Sequence, residues 1–202
     1  MNALAKDEVG KFVNKYFVAS FQRVGSFRIT QGQKQGGNVT SYFCTPDGRV
    51  LHAIAGPVDA KAFLEEANWV IEKTKDAMTR SKGDATKFKE LLRKHHADRL
   101  EAKYGVRVTP VLKDQILQNL ETATAYRDSK GRSLAPVLPL PPVENQTDLK
   151  NGLSNTARVH RLLAAHAMMK IENLYGAIFQ GILGETVTTK PVQADTPFRS
   201  PK

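Results

Sequence analysis

The sequence predicts a mixed α+β chain: a small sheet with flanking helices in roughly the first third, then a mainly α-helical extension. Three observations carry that expectation. Two apolar runs, Val39–Cys44 and Arg49–Ala55, are separated only by Thr45-Pro46-Asp47-Gly48. From Asp59 onward, apolar residues recur at three- and four-residue spacing. The 202 residues are 41% hydrophobic and 25% charged, which suits a buried core rather than a disordered or fibrous chain.

The elements follow in order. Residues 3–15 suit a short helix with Leu4, Val9, Phe12 and Val13 on one face, and Tyr16–Val24 has the aromatic and β-branched content of a strand. A polar glycine-rich loop, "GQKQGGN", precedes the hairpin. In the hairpin turn Pro46 presets φ and Gly48 supplies a positive-φ position, and strands joined so tightly must pair antiparallel. After Gly56-Pro57, Asp59 is the expected N-cap of a helix carrying Phe63, Leu64, Ala67, Val70 and Ile71. Asp84 caps a second helix with Phe88, Leu91, Leu92 and Leu100, ended near Gly105. Thr109-Pro110 opens a third, with Leu112, Ile116, Leu120 and Ala123. The proline-rich run Leu134–Gln146 should lie extended on a surface. Ser154 or Asn155 then caps C-terminal helices whose residues Ile171, Leu174, Tyr175, Ile178, Phe179 and Ile182 are too apolar to face water. The expected organisation is a partial sheet domain at 1–75, a basic helical region at 76–133, an extended linker at 134–153, C-terminal helices at 154–188 and a flexible tail at 189–202.

Over residues 3–72 the order helix, strand, loop, antiparallel hairpin, helix resembles the C-terminal two-thirds of the thioredoxin fold. "KDEVGKFVNKYFVASF" (Lys6–Phe21) is similar to the family's segment after the redox motif, with Asn14, Phe17 and Val18 in the run that enters the next strand. "YFCTPDGRVLHAIAG" is similar to its hairpin, with the turn at Asp47-Gly48 and Gly56 before the final helix. The resemblance implies a partial thioredoxin-like sheet, and it departs from the family twice. The C-x-x-C motif that opens the family's first helix would fall upstream of Met1, so the chain is expected either to have lost its redox site or to lack its beginning. Asn38-Val39 stands where the family has a cis-proline, and a cis bond before a non-proline residue costs about 3 kcal/mol.

Cys44 is the only cysteine, which rules out an internal disulfide and a four-cysteine zinc site. Disulfide exchange needs an activated thiolate and a resolving partner. Alternation along the strand puts Thr40, Tyr42 and Cys44 on one face, so Cys44 is expected to be an inert core thiol. The histidines suggest no metal site by local spacing. His95 and His96 point about 100° apart on a helix, and His160 and His166 lie six positions apart, unlike the i, i+4 pair of a helical zinc site. His96 falls on the apolar stripe between Leu92 and Leu100 and is expected to be a half-buried packing residue. No nucleophile-elbow or phosphate-loop spacing occurs, and Gly36-Gly37 lacks the helix a dinucleotide loop requires.

The formal net charge of +10 is uneven, with eleven basic against five acidic residues between positions 73 and 107. Lys87, Arg93, Lys94, Arg99 and Lys103 are expected along the outward side of one helix, as a surface for phosphates. Interspersed acids and scarce aromatics favour a solvated, ion-paired face instead. The P-x-x-P spacings at Pro136, Pro139 and Pro142 lack a basic flank and suit a linker in which Leu138, Leu140 and Val143 pack on the domain. No apolar run is long enough to span a membrane, and the N-terminal residues mix charge signs without an apolar segment, so the cytoplasm is the default compartment.

The sequence therefore points to a thioredoxin-like module without its own redox motif, which binds a protein partner or a second copy of itself. No cofactor, metal or catalytic residue is expected. The alternatives are a truncated thiol–disulfide oxidoreductase with C-x-x-C upstream of Met1, and a nucleic-acid or polyanion binder using residues 85–104.

Overall fold

A computed structural model of the chain describes residues 3–20, 28–30, 33–35, 38–109, 126–127, 133–134, 138, 140–145 and 152–185. The helix expected over 110–123 and the tail at 189–202 lie outside these residues.

A short 3-10 turn, Ala3–Ala5, leads into helix α1, Asp7–Tyr16, which buries Val9 while Leu4 stays exposed. The strand expected over Tyr16–Val24 is not formed in its described part. Tyr16 closes α1, and residues 17–20 form no strand although the backbone at Phe17 is extended. Phe17 uses its N–H to cap α1 at the Val13 carbonyl and packs its ring on Phe43, 5.3 Å between centroids. Its aromatic character serves a contact rather than a ladder. Two short pairs lie outside the main sheet: β1, Arg28–Thr30, with β2, Gln33–Gln35, and β5, Tyr126–Arg127, with β6, Ser133–Leu134.

The expected hairpin is present as β3, Thr40–Cys44, antiparallel to β4, Val50–Ala55, in the register Thr40↔Ala55 to Phe43↔His52. The register shifts after Phe43, so that Cys44 faces Val50. Gly48 has φ 78°, and Gly48 N–H donates to the Thr45 carbonyl at 2.9 Å, which closes the turn. The other edge of β4 is met at its start by the C-terminal region. Val50 N–H donates to Met169 O at 2.9 Å and Met168 N–H to Val50 O at 2.8 Å. Among the described residues the sheet is thus two-stranded with one short added contact, and the larger sheet implied by the thioredoxin resemblance is not seen.

Helix α2, Ala60–Ser81, begins where Asp59 accepts from Ala62 N–H at 2.8 Å. Helix α3, Ala85–Tyr104, begins where Asp84 accepts from Lys87 N–H at 3.0 Å and ends at Gly105, φ 67°. Helix α4, Asn155–His166, is capped by Ser154, which accepts from Ala157 N–H at 3.2 Å. Helix α5, Ile171–Gly176, runs into a π-helical turn, Ala177–Ile182. Residues 138 and 140–145 of the proline-rich segment form no helix. Leu138 is buried, Val143 bridges to Val108, and Leu140 is exposed.

The helices close over the sheet because their apolar stripes have nowhere else to go. Val50, Ala53 and Ala55 of β4, Leu91 and Leu92 of α3, Val159, Leu162 and Leu163 of α4, and Leu174, Ile178 and Ile182 share one core. The C-terminal stripe therefore covers the sheet, as its composition requires. A second core lies on the other face of the hairpin: Val9, Phe43, Ile54, Phe63, Trp69 and Val70. With β4 covered on both faces, any polar side chain it carries is held in the interior.

Candidate functional site

β4 carries such a side chain. His52 is the register partner of Phe43, their rings stack at 6.0 Å, and His52 has no exposed surface. Two more histidines meet it from separate helices. His96, on α3, falls between Leu92 and Leu100 on the inward stripe, and His160, on α4, falls between Val159 and Leu162. Both are fully buried, so His96 is not the half-buried packing residue its position suggested. Ring centroids lie 4.9 Å apart for His52–His160, 5.5 Å for His52–His96 and 5.1 Å for His96–His160. Trp69 of α2 presents its indole edge-on to the group, 4.9 Å from both His96 and His160.

A carboxylate completes the cluster. Glu66 is one turn before Trp69 on α2, only 4% exposed, and lies against both ring systems. Its Oε2 is 3.2 Å from His160 Nε2 and 3.4 Å from His52 Nε2, and its Oε1 is 3.1 Å from Arg99 Nη2 and 3.2 Å from Lys103 Nζ. The neighbouring Glu65 is 46% exposed and shares the same two cations, at 2.7 Å and 2.5 Å. His96, Arg99 and Lys103 stand at i, i+3 and i+7, which places them along one side of α3 facing α2 and α4.

The electrostatics follow from burial and contact. Burial alone would raise the Glu66 carboxyl. The hydrogen bond from His160 and the close approach of His52 more than offset it, so the group is held below its ordinary range as a carboxylate. Burial lowers His52 and His96, and it lowers His160 to about 4 despite Glu66 beside it. Burial also opposes the charge on Lys103, but Glu65 and Glu66 hold it above its ordinary value. At neutral pH the cluster is three uncharged imidazoles and one carboxylate, the latter matched by Arg99 and Lys103. With the three rings sealed from solvent, the arrangement can hold a small cation or a proton, and it offers no surface to a larger substrate.

The five cations expected as one outward stripe are divided by the structure. Lys87 is exposed, and Lys94 is exposed and pairs with Asp98 at 2.7 Å. Arg93 is only 6% exposed, which corrects its expected outward position. Arg99 and Lys103 turn toward Glu65 and Glu66. The physical reason is the neighbouring helix: two glutamates on α2 offer a partly desolvated partner that water cannot match.

Cys44 lies at the end of β3, half-buried against the first core. Burial first, then the carboxylates of Glu172 and Asp47, push its thiol up to about 11. Among the described residues no cation lowers it, and the chain holds no second cysteine.

The comparison with known proteins adds no relative: no protein family, no curated protein and no solved structure matches this chain. The histidine cluster and Glu66 were not found by sequence reasoning, because their members come from four elements with no shared local spacing. One signal was present. His52, Glu66, His96 and His160 each stand among the apolar residues of their own element, and four such ionisable exceptions in one small core must meet or be separately satisfied.

Proposed function

We propose that this chain acts by binding, as a thioredoxin-like module without thiol chemistry, with a protein partner as its ligand. The observation that carries the reading is Cys44: a single thiol, pushed up to about 11 by burial and two nearby carboxylates, with no resolving cysteine. At neutral pH such a group is a thiol, not a nucleophilic thiolate. Two further features support binding. The titratable cluster around Glu66 is closed to external substrates, and among the described residues no strand pairs with the outer edge of β3, the kind of edge that accepts a strand from another chain. Among the same residues no helix is long and apolar enough to cross a membrane.

The test is an insulin-reduction assay on the chain with dithiothreitol as reductant, beside a measurement of thiol alkylation against pH. The reading expects no acceleration of insulin precipitation, and alkylation that rises only toward pH 10 and above. Catalytic turnover, or a thiolate already present at pH 7, would overturn it.

A further inference from the structure

We propose that His52, His96 and His160 form a closed metal site that takes one divalent first-row transition ion, zinc or its analogue cobalt, through one nitrogen of each ring. This goes beyond the binding function proposed above and does not depend on it.

The first observation is placement. One nitrogen from each of the three rings lies within 4.8 Å of the other two, and all three residues are fully buried. Metal–nitrogen bonds of about 2.0–2.1 Å in a tetrahedral site set ligand nitrogens roughly 3.4 Å apart. The spacings found, from the 2.9 Å of His96 and His160 up to that limit, bracket this value.

The second observation is where the ring protons must be. His96 Nε2 is 2.9 Å from the Leu51 carbonyl, which can only accept, so this nitrogen carries the hydrogen. His160 Nε2 is 3.2 Å from the Glu66 carboxylate, which also only accepts, so it too carries the hydrogen. Each neutral ring has one hydrogen, so both Nδ1 atoms are left with bare lone pairs. Those two atoms face each other at 2.9 Å in a dry interior. Two lone pairs cannot stay there without something positive between or beside them.

The third observation is His52. Neither of its ring nitrogens has a hydrogen-bond partner, although it is fully buried, and the 3.4 Å approach of Nε2 to Glu66 falls outside hydrogen-bond geometry. A buried imidazole with neither nitrogen satisfied is costly, and a metal ion would satisfy one of them directly.

The surroundings are those of a metal site rather than of packing histidines. A carbonyl and a carboxylate hold the far nitrogens of His96 and His160, fixing ring tautomer and orientation as outer-shell partners do. Imidazole suits zinc, cobalt, nickel and copper, and the three rings supply three corners of a tetrahedron. Because the rings come from β4, α3 and α4, the ion would tie the sheet to two helices, and burial gives it a structural role. The competing occupant is a proton shared between the two Nδ1 atoms.

The experiment uses the full chain, stripped with a chelator and titrated with cobalt chloride, then zinc chloride, at pH 7.5. The proposal expects one equivalent bound, visible absorption of tetrahedral cobalt that zinc abolishes, and an X-ray absorption spectrum with three imidazoles around the ion. Glu66→Gln should weaken binding by about 10- to 100-fold, the usual loss when an outer-shell carboxylate is removed. His160→Gln should abolish the tetrahedral spectrum. If a variant fails to fold, the absorption spectrum of the unmodified chain still decides. No binding, fewer than three imidazoles, or an unchanged cobalt spectrum in folded His160→Gln would overturn the proposal and leave the shared proton as the occupant.

Discussion

Adjacent glutamates at the start of the site provide an internal comparison. Glu65 and Glu66 both pair with Arg99 and Lys103 at 2.5–3.2 Å, but one is 46% exposed and the other 4%. Glu66→Ala leaves Arg99 half-desolvated without its inner partner and removes the acceptor of His160 Nε2–H. At 3.1 Å and an effective dielectric of 20, the gross attraction of Glu66 for Arg99 is about 5 kcal/mol, most of it cancelled by desolvation of both groups. Removing one partner of such a buried pair costs about 3–5 kcal/mol, because the other charge stays behind. Glu65→Ala breaks contacts that are as short but remain solvated, at a cost of about 0–1 kcal/mol. Urea unfolding of the metal-free chain at pH 7, followed by circular dichroism, measures both. Equal losses for the two variants, or less than about 1 kcal/mol for Glu66→Ala, would refute the claim that burial rather than distance sets the strength of this cluster.

Two further outcomes follow from the same geometry. His160 falls from 6.5 when unfolded to about 4 when folded, so between these values the unfolded chain binds more protons and stability rises with pH. At about 1.4 kcal/mol for each pH unit this ring alone is worth ~3 kcal/mol, fully present above pH 6.5 and lost as the pH falls toward 4; a urea midpoint that stays level between pH 7 and pH 4.5 would contradict it. Gly56 has φ 87°, and a Cβ there would sit 3.3 Å from both Asn155 Nδ2 and Leu183 Cδ2. Gly56→Ala is expected to lower stability by about 1–3 kcal/mol, combining left-handed strain with a shifted α4 cap region, and a thermal midpoint unchanged within error would count against it.

Local signals were the legible part of this chain. The Pro-Asp-Gly turn, the Asp59, Asp84 and Ser154 caps and the Gly105 stop each depend on a few adjacent residues, and each is found where the sequence places it. The strand expected from Tyr16 is not formed through residue 20 because aromatic content measures a wish to be buried, and Phe17 meets it by packing on Phe43. Arg93 and Arg99 were misread because a helix taken alone does not say which side its neighbour will cover. Pairwise spacing along one helix reveals no ligand set, whereas His52, His96 and His160 converge only when β4, α3 and α4 pack.

That convergence rests on where two protons sit. Nitrogen-15 NMR of the zinc-loaded chain at pH 7, read at the imidazoles of His96 and His160, tests it most directly. The account predicts neutral rings with hydrogen on Nε2 and a hydrogen-free, metal-bound Nδ1 on each. A positively charged ring, or a hydrogen found on either Nδ1, would contradict it.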